Sequence, residues 1–260
     1  MFSEGGAVAT QRFAARAAAC AAVVVLAVTS GTAARADDDI ESLPAEQIVD
    51  RSRDALLDVR SVHLHAQGDL GKDRSAMTAD LTLDRAGNCA GDVDLGKDQG
   101  KVEIIKRGDA VWLKPDADFW KNQVPVGGSA FDAVLNGRYM KGDASDSRLR
   151  PVVDACDLDT FRELVSDNTD TAVGTFTKGE VTTVDGVRTI PVTRTVHDHR
   201  LTAYVDTGGK HLPVRITVTG DGADAAVDFS GFDKPVPTAT PPADETVDVS
   251  ALLGRAPSQS

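Results

Sequence analysis

The strict alternation of apolar and polar residues from Met77 to Asp84 constrains the fold more than any other feature of the chain. Successive side chains of a β-strand point to opposite faces, so this pattern predicts a strand with one buried and one solvent-facing side. The stretch from Val62 to Ala66 repeats the pattern, with histidines at the polar positions. Shorter segments of the same period contain Val93 and Leu95, Val102 and Ile104, and Val111 and Leu113.

Glycine-containing turns separate these segments. Strands that return about every 8–12 residues indicate an antiparallel meander rather than alternating strands and helices. In the last third of the chain, Asp185-Gly186 predicts a tight hairpin turn between residues 181–184 and 187–196. A second hairpin is predicted for residues 201–205 and 212–218, followed by one strand at 225–229.

Three segments have helical periodicity instead, at residues 42–60, 129–140 and 158–165. Ser42 is expected to cap the first of these helices, with Pro44 in its first turn. Gly142 is expected to end the second, and Asp157 or Asp159 to cap the third. We therefore predict an α+β fold, in which a large antiparallel sheet carries a few helices on one face.

The two ends of the chain differ from the rest. Residues 1–36 combine Arg12 and Arg16, an apolar run from Ala17 to Val28 and small residues before position 37. This order is typical of a signal peptide cleaved after Ala36. The run is shorter than the roughly 20 residues of a membrane-spanning helix. We expect a single domain over residues 37–253 and a disordered tail at 254–260.

The three cysteines have different expected roles. Lipidation of Cys20 would leave the apolar residues that follow it attached to the mature chain, so a lipid anchor is the less favoured alternative. Cys89 and Cys156 would remain after cleavage. An even number of cysteines in an exported chain favours a disulfide over two buried thiols, so we predict a Cys89–Cys156 bridge.

The charge balance argues against one class of function. The chain has 28 basic and 40 acidic residues and a net charge of −12, whereas nucleic-acid binding needs Lys and Arg to neutralise phosphates. Neither a nucleophile elbow of the G-x-S-x-G type nor a phosphate-binding glycine motif occurs. The chain is not predicted to be an enzyme, and neither a cofactor nor a metal is expected.

Two other kinds of site are compatible with the sequence but less favoured. The pairs His63/His65 and His197/His199 each place two imidazoles on one face of a strand, and four imidazoles could bind zinc. Solvent-facing positions explain the histidines more simply. A sugar platform could be built from aromatic residues, although tryptophans more often pack in cores. The aromatic candidates are Trp112, Phe119, Trp120 and Tyr139.

The order of segments resembles a known family. A helix precedes the alternating strands, residues 109–114 are followed by Asp118-Phe119-Trp120, and residues 135–139 follow these. The hairpin at 202–215 and the segment at 232–236 complete this order of segments. In this respect the chain resembles the actinobacterial LppX/LprG-type lipid-carrier lipoproteins, which share the half-barrel of the lipoprotein carrier LolA.

The resemblance implies a curved half-barrel with helices packed on its concave face around a hydrophobic cavity. The residues expected to line the cavity are Leu64, Leu81 and Ile104 from the sheet, and Phe131, Val134, Leu135, Phe161 and Leu164 from helices. For each of these residues, ordinary core packing is the alternative role. The relatives carry a lipidated cysteine at the end of the signal. This chain lacks a well-placed one, so we expect membrane contact without an anchor.

The expected function is that of an exported envelope or secreted protein that binds an amphipathic or lipidic ligand in this cavity. The alternative is a non-catalytic structural or protein-interaction module of the cell envelope, with a filled core.

Overall fold

A single 13-stranded sheet organises the described part of the computed structural model. The structure describes residues 39–69, 76–169, 175–196 and 198–249, together with the side chains of all of these except 164–169. The predicted signal peptide, the predicted tail, Cys20 and His197 lie outside the described residues.

The strands follow the chain in order. They are β1 Ser61–Asp69, β2 Met77–Asp84, β3 Cys89–Asp94, β4 Lys101–Arg107, β5 Ala110–Pro115, β6 Tyr139–Asp143, β7 Thr177–Lys178, β8 Thr182–Val184, β9 Val187–Val196, β10 His199–Asp206, β11 Pro213–Gly220, β12 Ala223–Ser230 and β13 Thr246–Asp248.

The sheet is open and almost wholly antiparallel. Its order is β13-β6-β5-β4-β3-β2-β1-β12-β11-β10-β9-β7, with β8 also paired to β9. Only the pair β13 and β6 is parallel among the described strands. β13 and β7 stand at opposite edges, so the sheet does not close on itself. The predicted α+β fold, an open antiparallel half-barrel with a few helices, is confirmed.

Five α-helices accompany the sheet in the described ranges of the chain. They are α1 Ala45–Asp58, α2 Ala117–Gln123, α3 Gly128–Leu135, α4 Arg150–Ala155 and α5 Leu158–Thr169. Neither α2 nor α4 was predicted from the sequence pattern. In α2 the Asp116 carboxylate accepts a hydrogen bond from the Phe119 amide at 2.8 Å, which caps the helix. The Asp157 carboxylate accepts from the Asp159 amide at 2.9 Å, so Asp157 is the capping residue of the two that were considered.

The predicted start of the first helix was wrong. Residues Ile40–Ser42 form a 3₁₀ turn, and the Ser42 hydroxyl donates to the Asp39 carbonyl oxygen at 2.7 Å instead of capping α1. The N-cap position belongs to Pro44, which makes no side-chain capping bond. The extended conformation of Pro44 sets the break between the 3₁₀ turn and the helix.

The predicted end of the second helix was also wrong. Helix α3 stops at Leu135, because Asn136 and Gly137 adopt φ values of 48° and 70°, in the left-handed region that ends helices. The Asn136 amide still donates to the Asp132 carbonyl oxygen at 2.7 Å. Tyr139 then begins β6, and Gly142 lies in that strand rather than at a helix end.

The hairpin turn predicted at Asp185-Gly186 is confirmed. The two residues have φ values of 48° and 82°, as a tight turn with two left-handed positions requires. The turn joins β8 to β9, and the register pairs Val184 with Val187.

Two clusters of buried side chains lie between the sheet and its helices. The first cluster contains Val62, Leu81, Leu83, Cys89, Val102, Ile104, Val111, Leu113, Leu149, Cys156, Leu158 and Phe229. It includes the predicted disulfide, which joins Cys89 of β3 to Cys156 after α4 across a Cα–Cα distance of 5.3 Å. The second cluster contains Ile40, Ala45, Ile48, Val49, Ile190, Val192 and Val205, and it packs α1 on β9 and β10.

Candidate functional site

A cavity of about 280 Å³ lies beside the second cluster, between α1 and strands β9, β10 and β11. Ten of its thirteen described lining residues are apolar. The lining residues are Val49, Ser52, Arg53, Leu56, Phe161, Phe176, Val192, Arg194, Leu201, Ala203, Val205, Pro213 and Ile216. Such a wall favours an apolar occupant over water.

One face of α1 forms the roof. Val49, Ser52, Arg53 and Leu56 are spaced by three and four residues, so they share one side of the helix. Val49, Ser52 and Leu56 are buried, and Arg53 is half-buried at the edge of this face.

Cross-strand neighbours form the floor. Val192 of β9 lies opposite Ala203 of β10, and Ala203 lies opposite Ile216 of β11. Pro213 also lines the cavity although it is an odd number of residues from Ile216. The reason is a register shift in which Tyr204 pairs with Arg215 and Val205 pairs with Pro213. One extra residue on β11 therefore returns Pro213 to the inner face.

Two phenylalanines complete the wall. Phe161 of α5 also contacts Phe229 of β12, with ring centroids 6.0 Å apart. Phe176 precedes β7, and the guanidinium carbon of Arg194 lies 5.6 Å from the centroid of its ring. This distance is within the range of a cation–π contact.

The polar residues of the wall are two arginines and one serine. Arg194 is only 8% exposed, and Ser52 is buried. The Arg53 guanidinium lies 3.0 Å from a carboxylate oxygen of Asp50 and 3.3 Å from one of Asp54. Neither aspartate is among the described lining residues, and the described wall contains no carboxylate.

The floor continues beyond the cavity as an apolar row across eight strands. In this row each residue lies directly opposite the next, in the order Val192, Ala203, Ile216, Val227, Ala66, Ala79, Val93 and Val102. Ile216, Val227, Ala79 and Val93 are only partly buried. The inner face thus offers apolar surface well beyond the cavity itself.

The structure places one predicted lining residue, Phe161, in the cavity wall. The side chains of Leu81 and Ile104 are in the first core cluster, and Leu64 packs against it. Leu135 is buried elsewhere, and the side chain of Leu164 lies outside the described residues.

The two remaining predicted residues lie at the surface. Phe131 is 47% and Val134 is 60% exposed on α3. Helix α3 packs on α2, where the Phe131 ring stacks on Trp120 with centroids 5.8 Å apart.

Neither the residues of the α1 face nor those of the β9–β11 floor were predicted to line a cavity. The helical spacing of Val49 and Leu56 was visible, but it indicates only that this side is buried. The alternation in the two C-terminal hairpins similarly identifies an inner face without identifying what covers it.

The described histidines of the two pairs, His63, His65 and His199, do not come together. His63 and His65 both contact the carboxylate of Asp80 on the outer face, at 2.9 and 3.2 Å. The hydrogen bond with His63 is the main reason why the pKa of Asp80 is held below its usual value. His199 is on β10, three strands away from β1, and contacts the Gly220 carbonyl oxygen. No group of three or more His, Cys, Asp or Glu that could hold a metal ion occurs within the described ranges.

The candidate aromatic residues are dispersed among other contacts. Trp120 is buried and makes an edge contact with Phe119, with centroids 5.6 Å apart. The Lys141 ammonium lies 5.9 Å from the ring of Trp112, and that of Lys114 lies 5.1 Å from the ring of Tyr139.

In the part of the chain that the structure describes, no helix has the length and apolar character needed to cross a bilayer.

Comparison with solved structures defines the fold type. LprF from Mycobacterium bovis superposes with a TM-score of 0.52 at 17% identity, over 76% of this chain and 96% of LprF. The fold is of the LppX/LprG type.

Two further solved structures are similar at lower scores. The lipoprotein LppX from Mycobacterium tuberculosis has a TM-score of 0.48 and 16% identity, over 75% of this chain and 98% of LppX. A LolA superfamily protein from Nitrosomonas europaea has a TM-score of 0.28 and 11% identity, over 75% of this chain and 96% of that protein. No protein-family profile matches the chain, and no curated protein matches it in sequence.

Proposed function

We propose that the chain is an exported, non-catalytic carrier that binds an amphipathic or lipidic ligand in the cavity between α1 and strands β9–β11. The observation that carries this proposal is the apolar wall around a cavity of about 280 Å³, next to a partly buried apolar row. Burial of an acyl chain contributes about 0.8 kcal/mol per methylene. Eight buried methylenes would therefore contribute roughly 6 kcal/mol before the costs of association.

The chemistry of the wall supports binding rather than catalysis. Ser52 is the only hydroxyl among the described lining residues, and none of those residues is a His, Asp or Glu that could act as its general base. A serine without an adjacent base is a weak nucleophile. The ligand would leave the site chemically unchanged.

Export to the cell envelope or the medium is part of the proposal. The predicted signal peptide supports it, and so does the Cys89–Cys156 disulfide, because such bonds persist in oxidising compartments. We propose membrane contact without a lipid anchor for this chain.

Filling the cavity tests the proposal. Ala203→Trp places an indole on the floor, and Ala226→Trp makes the same change on the opposite face of the sheet, since Ala226 alternates with the inward Val227. Native mass spectrometry and uptake of a fluorescent fatty acid would be measured on the full chain. We expect ligand mass and saturable uptake in the wild type and in Ala226→Trp, and at least a tenfold loss in Ala203→Trp. A wild type that shows neither retained lipid nor saturable uptake would overturn the proposal.

A second candidate function rests on a different surface. Val126 is 90% exposed and adjoins α3, on which Phe131 and Val134 are exposed at a spacing of three residues. This apolar surface favours a protein-interaction module. Capture of a defined envelope protein that a Phe131→Ser/Val134→Ser variant loses, while ligand uptake stays intact, would support this function. Equal capture by both forms would reject it.

A further inference from the structure

We propose that an apolar patch formed by Val126, Phe131 and Val134 docks on the surface of a phospholipid bilayer that contains anionic lipid. The inference rests on the membrane contact proposed above. It names the surface that makes this contact and the charge of the lipid that receives it.

The apolar patch concentrates the exposed large apolar side chains of the protein. Val126 is 90%, Val134 60% and Phe131 47% exposed. Among the described residues, the only other exposed large apolar side chain is that of Met77, at the start of β2. A cluster of this kind at the surface marks a site of contact with a protein or a membrane.

Helix α3 turns an apolar side outward. Gly128, Asp132 and Leu135 are spaced by four and three residues, so they share the inward side of the helix, where Gly128 and Leu135 are buried. The outward side carries only small or apolar residues, all of them exposed: Ser129, Ala130, Ala133 and Val134. A helix packed on a domain usually has a polar outward side. An apolar outward side is instead typical of a helix that lies at a membrane interface.

Two cations flank the apolar patch. Lys121 is exposed on α2 and follows Trp120, on whose ring the Phe131 ring stacks. The exposed Arg138 follows α3, and its guanidinium donates to the Val134 carbonyl oxygen at 2.9 Å. Neither cation is ion-paired with a carboxylate within the described ranges of the chain. Both charges are therefore available to lipid phosphates.

The carboxylates of the two helices lie in other places. Asp118 of α2 and Asp132 of α3 line two separate clefts, and both clefts also contain Lys101. The chain as a whole carries a net charge of −12, but at about 0.1 M salt charges more than about 10 Å apart are largely screened. The contact with a bilayer is therefore governed by the cations beside the apolar patch.

The size of the apolar patch favours a bilayer over a protein partner. A specific protein interface buries at least about 1,000 Å², whereas this surface offers three large apolar side chains, and Val126 projects from the turn between α2 and α3. A few embedded apolar side chains with adjacent cations are sufficient for reversible binding to an anionic membrane.

Vesicle flotation tests the proposal on the chain in its exported form. Vesicles of phosphatidylcholine alone would be compared with vesicles that also contain about 30% phosphatidylglycerol, at about 0.1 M salt. We expect the wild type to bind the anionic vesicles, and Val126→Asp and Val134→Asp each to lower the partition coefficient at least about tenfold. Met77→Asp makes the same charge change at an exposed apolar position of β2 and should lower it less than about twofold.

Two results would overturn the docking proposal. The first is a wild type that does not bind either vesicle. The second is equal binding by Val134→Asp and Met77→Asp. Because Val126 is almost fully exposed, Val126→Asp keeps the packing of α3 and provides the answer even if Val134→Asp does not fold.

The contribution of the cations is tested separately. Lys121→Gln should lower binding to the anionic vesicles about fivefold and leave binding to phosphatidylcholine unchanged. Lys97→Gln, at an exposed position outside the two helices, is the matched control and should have no effect on either. Equal losses in the two lysine variants would overturn the assignment of the lipid charge to this surface.

Fatty-acid uptake from solution separates docking from carriage. Val134→Asp should take up a fluorescent fatty acid as the wild type does, because the apolar patch is not part of the cavity wall. Loss of uptake in every form, including the wild type, would contradict the carrier function while leaving the vesicle result intact. Capture of an envelope protein by a wild type that does not bind vesicles would overturn this inference in favour of the second candidate function.

Discussion

Removal of the Cys89–Cys156 disulfide should destabilise the protein by about 4 kcal/mol. The two cysteines are 67 residues apart in sequence. In the chain-entropy description, a bridge over about 15 residues contributes about 3 kcal/mol and one over about 100 residues about 4.7 kcal/mol. The present loop lies between these cases. Both sulfur atoms belong to fully buried residues of the first core cluster, so their removal adds a packing loss.

The measurement is urea unfolding of a complete cycle of alanine variants. Either single substitution already abolishes the bridge, so each should lose nearly the whole effect and the double variant only slightly more. Reduced wild type, which keeps both sulfur atoms, separates the bridge from packing. A total loss of about 4 kcal/mol would remove much of the free energy of unfolding, which is 5–15 kcal/mol in typical domains.

One result of these unfolding measurements would refute the chain-entropy explanation of the disulfide's effect. If each single variant lost less than about 1 kcal/mol and the double variant lost their sum, the bridge would not restrict the unfolded chain. We also expect weaker ligand uptake in the bridge-free protein. Cys156 lies two residues before α5, which carries Phe161 to the cavity wall.

Three further predictions concern stability. The pKa of Asp80 is lowered chiefly by the hydrogen bond with His63. The ionised Asp80 therefore stabilises the folded state above its unfolded-state pKa of about 4, and this stabilisation is lost as the pH falls below that value. Urea unfolding midpoints of Asp80→Asn should consequently fall less steeply below pH 4 than those of the wild type. Leu135→Ala should cost about 2–5 kcal/mol by thermal unfolding and Phe131→Ala less than about 1.5 kcal/mol, because the first side chain is buried and the second is half exposed; equal costs would contradict this placement of α3. Gly91→Ala should cost more than about 2 kcal/mol, since φ is +153° and a Cβ would lie 1.9 Å from the Asp80 carbonyl oxygen; a neutral substitution in urea unfolding would contradict the close approach of β2 and β3.

Local patterns predicted the sheet well because each pattern reports a local property. The alternation from Met77 to Asp84 matches β2 residue for residue. Asp185-Gly186 correctly predicted the turn between β8 and β9. The end of α3 was missed because Tyr139 continues the apolar spacing, whereas the left-handed conformation of Asn136 and Gly137 ends the helix first.

Long-range pairings could not be predicted in this way. β13 has three residues, and it pairs with β6 more than a hundred residues earlier in the chain. The cavity depends on which strands α1 covers, and this is a tertiary property. Periodicity showed that Val49 and Leu56 are buried, but it carried no information on their position above Ala203 and Ile216.

The pairing of β1 with β12 has a consequence for the order of folding. His63 lies opposite Ser230, so the centre of the sheet joins segments separated by 167 positions. Strands β1–β6 can form a ribbon early, but the outer edge of β1 stays unpaired until the last quarter of the chain has been synthesised. Such non-local closure slows folding, and an unpaired edge invites pairing with other chains. A nascent copy would therefore be most vulnerable to aggregation just before β12 emerges.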